Sequence, residues 1–481
     1  MFKTNKESLT VKEIEEYINE FEAAEQKRYN KLWQYFMGKN TGIITKPAAK
    51  EGNPDNHTKT PYGRKIITTF TGYAYRPKYI TFEQGTAEKK YFDELKKVFD
   101  YNKEWIKTSR SGRNTGIFGV AYEMFYIGAK AKTEKDVLSV DAVPRFFNAD
   151  PREIILLYDY QPEPEKKIGI RYYQIGAKDH MVEVYYPDRF EIYRRTLGNN
   201  GKYEYSLDSS GPNFFMEVPI VEYELGDEKL GLIEPVLDYI DDYDLLVSDS
   251  FIEFSRFANA YLRIVGMGIF DTTGNAKGLK SVMQRIKEFR VFNNLTKPED
   301  VTFLTKDIPT SFITFMTQEV KKQIHVQSHV PDFNELASGA LSGAAIQRLL
   351  FDFENVCSDA EADFDIGLYD RIRLINTIFK AQQKEVSEGI IIQHKRNIPL
   401  NLKEFADTAL TMKNAGFSRY LIASIMPDDI VPDVEEELAR QDEDMEKIMP
   451  DSSEYQEEPN GEEDYGEREE DSSGEGTKGS V

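Results

Sequence analysis

The sequence predicts an α+β fold, on three observations. Between Ala121 and Leu225 apolar and polar residues alternate with a period of two in short, aromatic-rich segments broken by Asn-Gly, Pro-Asp and Gly-Pro turns, the pattern of a mainly antiparallel β region. From Leu232 to Glu385 apolar residues recur instead at steps of three and four, in runs too long for strands. The two patterns follow one another, so the order is α-helical entry, β-rich middle, helical spine and helical carboxyl end. The 481 residues can bury a sizeable core, and the length allows about two to four domains.

In the entry, Thr10-Val-Lys-Glu13 has capping-box form and opens an amphipathic helix through Tyr17, Ile18, Phe21 and Leu32 to Met37. A polar, basic loop follows, with Lys46, Lys50, His57 and Lys59. Pro61 to Pro77 reads as a short helix and then an extended piece. Ala87 to Ser109 reads as one helix with Tyr91, Leu95, Val98, Phe99, Asn102 and Ile106 on one side. Strands are predicted at Ala121–Ile127, Glu153–Tyr158, Gly169–Ile175, Met181–Tyr186, Phe190–Arg195, Tyr203–Leu207 and Val218–Glu224, with Asn199-Asn-Gly201 the best hairpin turn of the chain.

The spine opens with a helix predicted over Leu232 to Val265, about 50 Å long. Its apolar stripe runs Ile233, Val236, Leu237, Ile240, Tyr243, Val247, Phe251, Phe254, Phe257, Ala258, Tyr261 and Val265, and Asp238, Asp242, Asp249, Glu253 and Arg256 form a charged face opposite. A compact domain cannot bury such a helix alone, so it should pack against copies of itself or a partner helix. Gly266 to Ile308 is a small insert with strands at Ile264–Phe270 and Val301–Leu304 and a helix near Lys277–Phe289. Between Asn275 and Lys306 it carries seven basic residues, Lys277, Lys280, Arg285, Lys287, Arg290, Lys297 and Lys306, against three acidic ones. That reversal fits either an ordinary solvated face or a surface for phosphates or an acidic partner. A return helix from Thr310 stops near Val330, because Pro331 disfavours the helical region for its predecessor. The loop to Gly343 has the small residues of a segment passing close to something, with Gly339 and Gly343, and Ser342 is placed to cap the next helix. That helix runs about 40 residues, roughly 60 Å, through Ile346, Leu350, Phe353, Cys357, Phe364, Leu368, Ile375 and Phe379. A strand at Gly389–His394, helices at Asn401–Ala415 and Ser418–Met426, and a charged helix at Asp428–Lys447 complete the fold.

Composition excludes several classes. No apolar run reaches the roughly 18 residues that cross a bilayer, and Met1–Thr10 lacks an apolar signal core, so a soluble protein is expected. Cys357 is the single cysteine and lies on an apolar helix face, which makes it a small buried hydrophobe and rules out a disulfide framework. Of the net charge of -22, -15 lies from Glu435 onward, where 19 acidic residues face 4 basic ones. The acidity is mostly a tail, and from Pro450 its composition predicts disorder. No phosphate loop, dinucleotide fingerprint or HExxH occurs. Ser338 to Gly343 resembles an anion cradle but lacks the lysine, and His325 and His329 are spaced to share a metal without a third ligand. No catalytic residue, metal site or cofactor is predicted.

Five stretches stand in a recognisable order: Asn102–Tyr126, with Gly119-Val-Ala-Tyr-Glu123 leading into a strand; Glu217-Val-Pro-Ile-Val-Glu222; Ile240-Asp-Asp-Tyr-Asp244 with Ser248-Asp249; Val330-Pro-Asp-Phe333; and Ser342-Gly-Ala-Ala-Ile346. Over nearly everything from Asn5 to Asp444 the chain resembles the portal proteins of tailed bacteriophages, of the long-tailed type. The resemblance implies a portal fold: a β-rich wing (1–231), two stem helices (232–265 and 309–330) flanking a small α/β clip (266–308), a tunnel loop (331–342), a long wing helix (343–385), and a wing strand with helical crown (386–449) before the acidic tail (450–481). It implies a homo-oligomeric ring of about twelve subunits at a capsid vertex of the virion, assembled in the host cytoplasm, that passes double-stranded DNA without reading sequence. Asn334, Glu335, Leu336, Ser338, Gly339, Leu341 and Ser342 would face DNA. Lys277, Lys280, Arg285, Lys287 and Arg290 would dock the packaging motor, including the terminase large subunit, and the head-tail adaptor. Asp238, Asp242, Asp249 and Glu253 would form an acidic stem face, and the major capsid and scaffolding proteins would be further partners. The alternative reading is a non-ring helical interaction or scaffold protein with an acidic tail.

Overall fold

The computed structural model describes residues 2–49, 54–128, 142–177, 179–198, 201–258, 261–265, 300–304, 310–333, 343–396, 402–426, 430, 431 and 433–448. The chain divides into two compact units, Met1–Pro399 and Leu400–Val481. In the first, β1 (Phe2–Lys3) precedes α1 (Val11–Ala23), α2 (Glu25–Phe36), α3 (Thr41–Ile44), α4 (Tyr62–Ala74), β2 (Ile80–Glu83), α5 (Lys89–Asn102) and α6 (Glu104–Phe118). Strands follow: β3 (Val120–Ile127), β4 (Pro144–Ala149), β5 (Ile154–Tyr158), β6 (Lys166–Gln174), β7 (Asp179–Tyr185), β8 (Arg189–Leu197), β9 (Tyr203–Pro212) and β10 (Ile220–Glu224). Then come α7 (Leu237–Ala258), β11 (Tyr261–Val265), β12 (Asp300–Leu304), α8 (Thr310–Gln327), α9 (Gly343–Ala381) and β13 (Ile391–His394). The second unit holds α10 (Leu402–Asn414), α11 (Arg419–Ser424) and α12 (Val434–Ile448).

The capping box is formed: Thr10 Oγ1 accepts from Glu13 N, and Thr10 N donates to Glu13 Oε2 at 2.8 Å. Two predicted single helices are each two. The first breaks at Ala24, where neither glycine nor proline stands and the backbone turns to φ -113°, ψ -81°. The second breaks at Lys103, in the left-handed region at φ 52°. There the side chain of Asn102 is buried and donates to Val98 O and Pro144 O, both at 2.9 Å, while its Oδ1 accepts from Phe146 N at 3.2 Å. The helix end is thereby tied to β4, a strand absent from the expectation, and tertiary bonding overrides the continuous apolar period.

The larger sheet has the order β1-β5-β6-β7-β8-β9, antiparallel except for the β1–β5 edge. A three-stranded sheet, β10-β3-β4, packs against helices α6 and α9. Gly119 ends α6 at φ +81°, where an added Cβ would stand 2.0 Å from Lys229 O, so only glycine lets the chain turn into β3 here. Gly367 lets α9 close on β10, since a Cβ there would meet the Tyr223 ring at 2.4 Å. The β8–β9 hairpin forms with Leu197 opposite Tyr203 and Gly201 at φ +75°.

In the spine, α7 has 22 residues and stops at Ala258. The helix expected to continue to Val265 gives way to β11, antiparallel to β12 with Tyr261 opposite Leu304 and Val265 opposite Asp300. Tyr-Leu-Arg-Ile-Val is a β-favouring run, and with Val-Thr-Phe-Leu at hand it pairs instead of extending the helix. The helices α8 and α9 end earlier than expected, at left-handed His329 (φ 55°) and Gln383 (φ 56°). β13 pairs with β2, and α12 starts after Pro432, with the Asp433 carboxylate accepting from Glu435 N and Glu436 N. The expected insert helix Lys277–Phe289 and the tail from Pro450 lie outside the described residues.

Candidate assembly surface

The helices α7 and α8 pack side by side as an antiparallel pair that runs on into the β11–β12 ribbon. Toward the start of α7 and the end of α8, the apolar side chains of this region have partners within the chain: Ile233, Val236 and Ile240 are fully buried, as is Ile324 of α8. Toward the ribbon they do not. Phe251 and Phe254 of α7 are 51% and 65% exposed, and Phe312 and Phe315 of α8 are each 60% exposed. Both pairs are spaced i, i+3, so each helix presents its two rings on one side. The described residues leave four large rings in water at one end of the pair, which burial by a partner would stabilise by about 1.5–3 kcal/mol per side chain.

The opposite face of α7 departs from the expected solvent stripe. Tyr35 OH donates to Asp241 Oδ2 at 2.6 Å, Asn40 Nδ2 to Asp244 Oδ2 at 2.5 Å, and Thr60 N and Oγ1 to Asp244 Oδ1 at 2.8 and 2.6 Å. Thr58 N donates to Ser248 Oγ at 2.9 Å. Tyr35, Asn40, Thr58 and Thr60 thus strap α7 from one side, and Asp244 and Ser248 are buried beneath them. Burial raises the Asp244 carboxyl above its ordinary range even though its hydrogen-bond donors act to lower it. Of the predicted acidic face, Asp238 and Asp242 are exposed, Asp249 pairs with Lys46 at 2.8 Å, and Glu253 is half-buried. The sequence signal for the strap was present in Ile240-Asp-Asp-Tyr-Asp244, where an acidic run interrupts a packing helix, but the motif does not say which carboxylates turn inward.

Away from this pair, α9 is tied to α6 and β3 through buried charge. Arg371 of α9 is fully buried; its Nε and Nη2 donate to the two oxygens of Glu123 at 2.9 and 3.1 Å, and Nη1 donates to Glu104 Oε1 at 3.0 Å and Thr108 Oγ1 at 2.8 Å. Tyr223 OH completes the cluster on Glu123 at 3.0 Å. A cavity of about 260 Å³ between the amino-terminal helices and the sheet has Glu222 in its wall, and that carboxylate accepts from Tyr122, Tyr158 and Lys229. No trio of residues that would hold a metal occurs among the described residues. His325 and His329 are separated, the first partly buried on Val330 O and the second exposed. The predicted loop residues Asn334, Glu335, Leu336, Ser338, Gly339, Leu341 and Ser342, and the basic Lys277, Lys280, Arg285, Lys287 and Arg290, lie outside the described residues.

The family model for "Phage portal protein, SPP1 Gp6-like" matches residues 15–451. No curated protein matches the chain. Solved structures with a distant likeness include a chain of the virion of a native gene transfer agent particle, at 10% identity, with 80% of this chain and 98% of that one covered and a TM-score of 0.43. A chain from the neck of the empty particle, computed with C6 symmetry, shares 9% identity over 75% of this chain and 87% of its own, with a TM-score of 0.42. One from the neck of the native particle, computed with C12 symmetry, shares 9% over 76% and 89%, with a TM-score of 0.44.

Proposed function

The chain belongs to the SPP1 Gp6-like phage portal protein family, and from that premise we propose that copies of it close into a ring of about twelve subunits at one capsid vertex, around a channel for double-stranded DNA. The observation that carries this reading is the exposure of Phe251, Phe254, Phe312 and Phe315 on one paired-helix element, because a closed ring supplies each subunit with a neighbour for them. In this assignment α7 and α8 are the stem, 266–308 the clip, 331–342 the tunnel loop, α9 the long wing helix, and α10 to α12 the crown. The ring takes up DNA during packaging, retains it and releases it at ejection, as a conduit and not as an enzyme.

Electrostatics support a conduit. Exposed carboxylates such as Asp238 and Asp242 repel phosphates, so a channel presenting them holds a duplex loosely and without base contacts. The basic residues of the clip, Lys277, Lys280, Arg285, Lys287 and Arg290, serve as the docking surface for motor and head-tail connector. Shortening Asn334–Leu341 tests the assignment: rings should form as in wild type, while DNA packaging or retention in a reconstituted head falls. Loss of rings in that variant would contradict the placement of this loop in the channel.

A further inference from the structure

Next to the tunnel loop, where the chain leaves the stem, one carboxylate holds two distant elements together. Asp332 is buried, its side chain 4% exposed. Lys65 of the wing helix α4 places Nζ 2.8 Å from its Oδ1, and Lys321 of the stem helix α8 places Nζ 2.6 Å from its Oδ2. His325, one turn further along α8, lies 3.8 Å from Oδ2 through Nε2 and hydrogen-bonds Val330 O through Nδ1 at 2.8 Å. The Tyr62 ring stands edge-on to both His325 and Tyr243, with centroids 6.1 and 5.0 Å away, which brings α7 into the same joint. Ser328 N and His329 N finish α8 on Ile324 O and Val326 O, and Val330 is buried. Every residue from Ser328 to Asp332 is thus held by hydrogen bonding, an ion pair, burial or the proline ring. The last held charge stands two residues before Asn334.

We propose that Asp332 is a positioning residue: by clamping Lys65 of the wing and Lys321 of the stem together, it fixes the root of the loop that faces DNA. This rests on the portal reading above. The carboxylate suits the task because its charge serves two elements at once, a hydrogen bond from Lys65 at one oxygen and an ion pair with Lys321 at the other, whereas a neutral amide offers one oxygen and no charge. Removing it strands no charge in the interior. Lys65 and Lys321 are 35% and 31% exposed, so their ammonium groups return to water when the partner is gone.

The test uses assembled, full-length Asp332→Asn. Hydrogen exchange at 330–333 should accelerate roughly ten- to a hundredfold, the size expected for lost hydrogen bonds to a charged group, with ring mass and melting temperature unchanged. DNA retention in filled heads should fall, and Asp332→Glu should restore it. Lys65→Met supplies a second route if the asparagine variant does not fold: it cuts only the wing arm, and exchange should rise at 330–333 while the interior of α8 stays protected. Unchanged exchange and retention in both variants, in rings that otherwise package DNA, would overturn the clamp and leave the portal reading standing. Failure of the wild-type chain to form rings would instead sink the portal reading.

Discussion

Arg371 is the residue whose loss the fold should feel most. It sits between Glu104 and Glu123 with no access to water, and removing it leaves two carboxylates buried without their cation. Arg371→Met should cost about 3–5 kcal/mol in denaturant unfolding, whereas a loss under about 1 kcal/mol would show that the cluster is hydrated. His394 gives a pH signature. Burial alone would lower the imidazole, but hydrogen bonds to Asp365, at 2.8 Å, and to Glu361 outweigh it and push the group from 6.5 up to about 9. A folded value above the unfolded one means that the stabilisation is fully present below about pH 6.5 and is lost as pH rises through about 9. The melting temperature of His394→Gln should therefore fall short of wild type at about pH 6 and converge with it near pH 10. A gap of constant size across that range would show that the proton on His394 contributes nothing.

At the scale of elements, the stem pair carries the assembly argument. Phe254→Ser with Phe315→Ser changes two side chains that touch little within the subunit, so the isolated chain should keep its stability to within about 0.5 kcal/mol each, while assembly is lost by size-exclusion mass. Retained assembly would move the interface elsewhere. The elements also show what a sequence discloses. The capping box at Thr10, the hairpin at Gly201, the long helix α9 and the carboxyl-terminal helices were legible because their signals are local: a cap, a turn residue, a sustained period. The breaks at Ala24 and Lys103 were not, because the residues that compensate them, such as Pro144 and Phe146 on Asn102, lie far along the chain. Tyr261–Val265 reads as the end of a helix because Tyr261 and Val265 continue its apolar stripe, and only the partner at 300–304 makes it a strand. The strap over Asp241 and Asp244 was not legible for the same reason, since carboxylate spacing gives a helix face but not the hydroxyl and amide donors of Tyr35, Asn40 and Thr60 that hold these two.

For the whole molecule, the described residues bury one large core and leave the ribbon end of the α7–α8 pair uncovered. One continuous core runs from Leu9 to Ile390 and takes in Ile240 of α7 and Ile324 of α8, with buried ion pairs that hold α9 to the sheet. Among the described residues, α7 and α8 leave four rings exposed, and in the proposed ring a neighbour covers them. The measurement that tests this most directly is native mass spectrometry of the purified full-length chain. The account predicts a closed species of roughly 0.67 MDa, twelve copies of 55.5 kDa, seen as rings with a central hole in electron micrographs. A chain that stays a monomer of 55.5 kDa under all conditions, with its stem aromatics in water, would contradict it.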